Sequence, residues 1–222
     1  LDGLEDAYEP GRAMGTFAEE AATEYQFTRE AQDEYALRSL TRAKDAISSG
    51  AFANEIVPVE VVGRGGSTVV DTDEQPGNAK PDKIPSLKPA FAKDGTVTAA
   101  NSSSISDGAA ALILTRESIA KAKGLTIEAK IVSFATHSQL PARFTSAPVP
   151  AMQKALDKAG WKVSDVDLFE VNEAFAVVPM IAIKELGIPV EKLNVNGGAT
   201  ALGHPIGASG ARILATLISA LR

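Results

Sequence analysis

The stretch Asn194–Arg212, NVNGGATALGHPIGASGAR, constrains this chain most: Gly197, Gly198, Gly203, Gly207 and Gly210 crowd into it as it runs into an apolar helix that begins near Ala208. Glycine adopts positive φ without steric cost and lets backbone approach closely, so this spacing predicts tight turns folded around something. The turns follow a short strand pattern at Leu193–Val195. Similar units precede them: a strand at Glu128–Ala135, a helix at Pro148–Ala159 stopped by Gly160, a strand at Asp167–Val171, and a helix at Glu173–Leu186 stopped by Gly187. Strands alternating with helices predict an α/β layer architecture.

The first hundred residues are less regular. Thr16 and Glu19 have the spacing of a capping box for a helix over 16–26. Thr28 is placed to cap a second helix that ends at Gly50. Glu55–Val62 reads as a strand, with Pro58 marking an edge or bulge; a turn at Gly63–Ser67 leads to a short strand at Thr68–Asp71. Residues 72–95, with Pro76, Pro81, Pro85 and Pro89, read as one long irregular loop of the kind that often carries function. Ala109–Leu114 is an apolar run, followed by a helix from Thr115 to Gly124.

Composition excludes several classes. With 45% apolar residues in 222, the chain is a globular protein and not a disordered one. Its 22 basic against 28 acidic residues leave no basic excess for nucleic acid. No apolar window is long enough for a membrane span, and Leu1–Asp6 has no signal-peptide pattern. Cysteine is absent, which removes disulfides, zinc–thiolate sites and a cysteine nucleophile from these residues. Leu1 is not a methionine, and Arg222 falls within an apolar helix, so both ends read as cuts.

Two segments carry candidate chemistry. VNEAFA, Val171–Ala176, places Asn172 and Glu173 at the C-terminal edge of a strand, where ligands of α/β sheets bind. Glu173 would sit in the first turn of a helix, favoured by its dipole; on pattern alone Asn172 reads first as that helix's N-cap. His204, one of two histidines, is fixed between Gly203 and Pro205. An imidazole titrates near working pH, which makes it a candidate general base. The bland alternative is a histidine in an ordinary glycine-rich turn. A phosphate-cradling loop fits poorly, because the glycine spacing matches neither common fingerprint.

NVNGGATALGHPIGASGAR together with VNEAFA resembles the thiolase family, nearest its biosynthetic branch. GTVTAANSSSISDGAA, Gly95–Ala110, resembles a third signature, and Arg12–Thr16 through Glu55–Pro58 resembles the family's loop domain. The resemblance spans the chain and implies a thiolase-like layered α/β fold, incomplete, with an irregular α/β loop domain. It implies a loop domain over 1–95, the end of the N-terminal core domain over 96–125, and most of the C-terminal core domain over 126–222. The family's chain extends on both sides and carries there two cysteines absent here, so the chain reads as an internal piece that is inactive alone.

The resemblance also implies roles. His204 would activate a nucleophilic cysteine and serve the oxyanion hole, Asn172 would hold a water in that hole, and Glu173 would orient both. Leu4, Met14, Phe91, Ala99, Ser103, Phe144, Ala174 and Phe175 would line a pantetheine and acyl channel, apolar as such a channel should be. Three positions depart from the family pattern. Ala13 stands where some members have His, and Phe144 where a common biosynthetic type has Met. Lys83 stands where a Ser often faces the CoA nucleotide, placed to meet a phosphate or simply solvated. His137 has no family counterpart role and reads as the end of a strand.

The implied reaction joins two acetyl-CoA into acetoacetyl-CoA and CoA, or reverses it on a 3-ketoacyl-CoA, with no metal or cofactor beyond the CoA substrate. The implied setting is a cytoplasmic homodimer or homotetramer. The rivals are a ketoacyl synthase, which has its His before its Asn, and a non-catalytic CoA- or lipid-binding module of thiolase ancestry.

Overall fold

The computed structural model describes residues 3–222. Helix α1 (Met14–Tyr25) buries Phe17, Ala18, Ala21 and Ala22. Helix α2 (Arg29–Ser49) starts where Thr28 accepts a hydrogen bond from the Ala31 amide at 3.1 Å, and it stops at Gly50 in a left-handed conformation. A hairpin follows, β1 (Val59–Gly63) paired antiparallel with β2 (Gly66–Val70), Val59 opposite Val70. Helix α3 (Glu74–Asn78) and a 3-10 turn over Pro81–Ser86 come next. Helix α4 (Glu117–Ala122), a 3-10 turn at Pro141–Ser146, α5 (Pro148–Ala159), α6 (Val177–Leu186), α7 (Ala199–Leu202) and α8 (Ser209–Ala220) complete the order. Among the described residues no helix is long and apolar enough to cross a membrane.

The main core sits between α1 and α6. Ala18, Ala21, Val97, Phe169, Val171, Val177, Ile181 and Leu193 are buried together, with Phe91, Phe144 and Phe175 packed against them. Helix α2 lies on α7 through Leu40, Ala43 and Ala201. That approach requires a glycine: a Cβ on Gly197 would stand 2.6 Å from the Ser39 carbonyl and 2.8 Å from Ala43 Cβ, and its φ is +79°.

Several sequence expectations are corrected. Helix α1 begins at Met14 after Ala13, and Thr16 with Glu19 forms no capping box. The Glu19 carboxylate instead accepts the Thr96 and Val97 amides at 2.9–3.0 Å, a tertiary use that displaces the local one. Residues 72–95 are not wholly irregular, since they hold α3 and a 3-10 turn. Residues 128–135 form no strand, because no described segment pairs with them.

Strands 167–171 and 193–195 shrink to one parallel bridge, Phe169 with Leu193. Asn194 explains the shortfall. Its φ is +48°, and its side chain accepts the Val171 amide at 2.8 Å and donates to the Val171 carbonyl at 2.8 Å. A side chain thus takes the place of the next ladder rung.

Helix α6 starts at Val177, not at Glu173. The Ala174 carbonyl accepts from the Ser103 amide at 3.0 Å, and the Ala176 amide donates to the Asn101 carbonyl at 2.8 Å, so 174–176 pairs with 101–103 rather than coiling. In α8 the apolar run Ile213–Ile218 is not covered on most sides. Leu214 is 50% exposed; within the run Thr216 is buried, and at the start of the helix Ser209 is.

Candidate active site

Three loops meet at the site: 101–106, 171–176 and 203–209. The His204 amide donates to the Ser104 carbonyl at 3.1 Å, and Ile105 bridges to His204 in parallel. Segment 101–106 therefore holds both VNEAFA and the histidine turn. It is anchored by Asn101, which is fully buried. The Asn101 side chain accepts from the Thr98 amide at 2.7 Å and donates to Asp33 at 3.0 Å.

Across these loops Asn172 Nδ2 and His204 Nε2 lie 3.3 Å apart. The other ring nitrogen, Nδ1, lies 2.6 Å from Ser209 Oγ. The ring is half-buried, and burial followed by the nearby Arg212 charge lowers its pKa from the ordinary imidazole value. A neutral imidazole at physiological pH can take a proton, as a general base must. Asn172 Oδ1 is buried without a hydrogen-bond partner. Asn172 is not the N-cap of α6; that position is Ala176.

Glu173 is fully buried but not in a helical first turn. Its carboxylate accepts from Tyr35 Oη at 2.8 Å, Ser39 Oγ at 2.7 Å, Asn194 Nδ2 at 2.8 Å, and the Thr200 amide and hydroxyl at 3.1 and 2.6 Å. A buried charge persists only when its lone pairs are met in this way. Burial and the Glu173 charge push the Tyr35 phenol well above its ordinary range, which keeps it a donor. The hub ties α2 to segments 171–176 and 198–200. Gly198 is part of it, since a Cβ there would stand 2.3 Å from the carboxylate carbon of Glu173.

Beside the hub is an aromatic wall. Phe91 and Phe175 meet edge to face at 5.9 Å, Phe144 and Phe175 at 6.2 Å, and Phe17 and Phe144 at 6.4 Å. Ser103 Oγ donates to the Ala174 carbonyl at 2.9 Å, leaving its lone pairs as acceptors. The Met14 amide donates to the Leu4 carbonyl at 2.9 Å, so these two are also neighbours. Ala99 is exposed, and Lys83 is exposed on the 3-10 turn 81–86. His137 lies at the surface on Gln139 and Lys154, each at 3.0 Å. One surface depression, about 460 Å³, is lined by Glu19, Glu20, Glu24 and Asp94. Its carboxylates repel an anionic ligand, and it lies away from His204.

Sequence reasoning overlooked Ser209, Tyr35, Ser39, Asn194 and Thr200. One signal was available: Gln32, Tyr35 and Ser39 lie at helical spacing on the buried face of α2, where a polar stripe demands partners. Glu170 was also overlooked. Its side chain is 3% exposed, with Arg212 4.0 Å away, and one of its oxygens is unpartnered.

The model for the thiolase N-terminal domain matches residues 1–118, and that for the thiolase C-terminal domain matches residues 125–222. The chain is 53% identical to a probable acetyl-CoA acetyltransferase of Dictyostelium discoideum, covering 100% of this chain and 53% of that protein. It is 54% identical to acetyl-CoA acetyltransferase of Escherichia coli strain K12, covering 96% and 54%. Among solved structures, the Bacillus anthracis acetyl-CoA acetyltransferase superposes with a TM-score of 0.93 at 45% identity, over 98% of this chain and 55% of that one. The Acat5 thiolase from Ascaris suum, in complex with coenzyme A, gives 0.91 at 41%, over 100% and 56%. The chain thus spans about half the length of the relatives it matches. With both family models covering nearly every residue, the chain belongs to the thiolase family.

Proposed function

We propose that these residues supply the histidine–asparagine half of an acetyl-CoA C-acetyltransferase. The observation that carries this reading is the meeting of His204 Nε2 and Asn172 at 3.3 Å beside the Phe91–Phe175–Phe144 wall. The names of the relatives and the coenzyme A complex of the Ascaris suum thiolase support the substrate class. Residues 1–95 act as the CoA-facing loop domain, 96–125 as the end of the first core domain and 126–222 as most of the second.

The chemistry runs in two stages. Neutral His204 takes the proton of a cysteine thiol supplied from outside these residues. The thiolate attacks the acyl thioester carbonyl, the C–S bond to CoA breaks, and CoA leaves with a proton, giving an acyl-enzyme. A second acetyl-CoA then gives up an α-proton to a base supplied, like the nucleophile, from outside these residues. Its enolate carbon attacks the acyl-enzyme, and acetoacetyl-CoA departs as the thiolate leaves. Donors from His204 and an Asn172-held water meet the thioester oxygen as it gains charge. The route needs no metal or redox group; the CoA thioester is the substrate. The complete enzyme works as a homodimer or homotetramer.

The test is a chimera in which this chain replaces the matched stretch of the Escherichia coli enzyme. It is expected to cleave acetoacetyl-CoA in the presence of CoA, while the 222-residue chain alone gives no turnover. A folded chimera without turnover, or turnover by the isolated chain, contradicts the reading.

A further inference from the structure

Segment 72–95 sends one side chain to the histidine turn. Gln75, half-buried on α3, donates from Nε2 to two hydroxyls of segment 101–106: Ser104 Oγ, and Ser106 Oγ at 3.1 Å. The two hydroxyls lie 2.9 Å apart, and Ser106 Oγ donates to the Ser104 carbonyl at 3.3 Å. That carbonyl is also the acceptor of the His204 amide, at 3.1 Å. Gly203, the residue before the histidine, has φ +96°, and a Cβ there would overlap the Ser106 hydroxyl and stand 3.3 Å from Gln75 Nε2. Helix α3 packs on α7, which ends at Leu202, so Gln75 comes from an element already seated beside this turn.

The protons of this network balance. An amide NH₂ has two protons and a hydroxyl has one, with two lone pairs to accept others. Gln75 spends its two protons on the two hydroxyl oxygens. Ser104 then gives its own proton to Ser106 Oγ, and Ser106 gives its proton to the Ser104 carbonyl. That carbonyl accepts two bonds, one from the Ser106 hydroxyl and one from the His204 amide. No donor is left over, and no oxygen accepts more than two. The chain of bonds that starts at Gln75 therefore ends on the atom that carries the His204 backbone.

We propose that Gln75 is a positioning residue for the acyl-transfer site: through Ser104 and Ser106 it fixes the carbonyl on which the His204 amide rests, and so sets where the imidazole stands opposite Asn172. This rests on the acyl-transfer reading for its purpose, though not for its measurement. Gln75 touches no reacting atom. The imidazole has side-chain contacts of its own, to Asn172 and Ser209, which set its tilt. The Gln75 network sets the backbone from which it hangs. A catalytic group displaced by about 1 Å can cost about 10² in rate, so a distant amide that holds this backbone has a kinetic effect.

The test has two arms. The first is hydrogen–deuterium exchange of the 222-residue chain, in whatever assembly it forms, read by mass spectrometry on residues 203–209 and on α5. The His204 amide is expected to exchange at least about ten-fold more slowly than in an unstructured peptide. Gln75→Met and Gln75→Glu keep the length of the side chain but offer no amide protons. Each is expected to speed exchange in 203–209 by about five-fold and to leave α5 unchanged. Exchange of the His204 amide at the unstructured rate overturns the proposal without any variant having to fold. Unchanged exchange in 203–209, or a rise as large in α5, overturns it as well. The second arm is kinetics in the chimera. Gln75→Met is expected to lower kcat by about ten-fold with KM near normal, and adding Ser106→Ala is expected to lower it no further, because both cut one network. A normal kcat, or losses that multiply, overturns the proposal. The exchange arm involves no substrate and no turnover, so an unsubstituted chimera without turnover defeats the acyl-transfer reading alone, while exchange still decides the role of Gln75.

Discussion

At the scale of single residues, burial decides what each polar group can do. Asn172 has no role as a helix cap, so its amide is free for the site. In the chimera, Asn172→Ala is expected to lower kcat by about 10²–10³ with little change in KM, because an oxyanion donor matters most as charge develops. Steady-state kinetics check this; a normal kcat with a raised KM would make Asn172 a binding residue. Glu170 makes a second case. Burial raises its pKa to about 8, against the pull of Arg212 and with help from Glu173 and Glu55. The fold thus binds this proton more tightly than the unfolded chain does. Stability is fully present below the ordinary carboxylate value and is lost as pH rises toward about 8. The loss is on the order of several kcal/mol. Glu170→Gln is expected to flatten that slope and to be the more stable protein at pH 8, as measured by urea unfolding across this range. A slope as steep in the variant as in the original would contradict it.

At the scale of elements, local signals were legible in the sequence and long-range ones were not. Thr28, Gly50, Gly160 and Gly187 mark helix ends because caps act within a few residues. Helix 148–159 runs as its pattern predicts. The start of α6 and the strand at 167–171 were misread because Asn101, Ser103 and Asn194 take the backbone bonds that helix and ladder would use. No local pattern announces such a substitution. In the site, His204, Asn172 and Glu173 were legible from their motifs. Tyr35 and Ser39 were not, because they reach Glu173 from 138 and 134 positions away. The close contact of α2 with the glycine-rich turn yields a comparison. Gly197 and Gly160 both have positive φ, yet only at Gly197 would a Cβ strike neighbouring atoms. Gly160→Ala is expected to cost about 1 kcal/mol from its backbone conformation alone. Gly197→Ala is expected to cost about 1–3 kcal/mol more, from crowding. Equal shifts in thermal midpoint would show that α2 yields freely.

At the scale of the whole molecule, the chain leaves much apolar surface uncovered. Ile113 is 93% exposed, Phe134 76%, Ile131 65% and Val62 80%, and among the described residues no further strand pairs with the outer edges of the β1–β2 hairpin. Such surface seldom persists on a monomer, and free edges recruit other chains. The isolated chain is therefore expected to self-associate or precipitate at tens of micromolar, as read by size-exclusion chromatography with light scattering. A stable, monodisperse monomer would mean that these faces tolerate water. Its site is built so that the parts far apart in sequence, α2, VNEAFA and the histidine turn, converge on one hub around Glu173. In the proposed reaction His204 is the group that moves the proton. The chimera tests it directly by comparing His204→Ala with His137→Ala in acetoacetyl-CoA cleavage. The expected result is a loss of about 10²–10⁴ for His204→Ala and near-normal turnover for His137→Ala. Equal, mild effects of the two substitutions would contradict it.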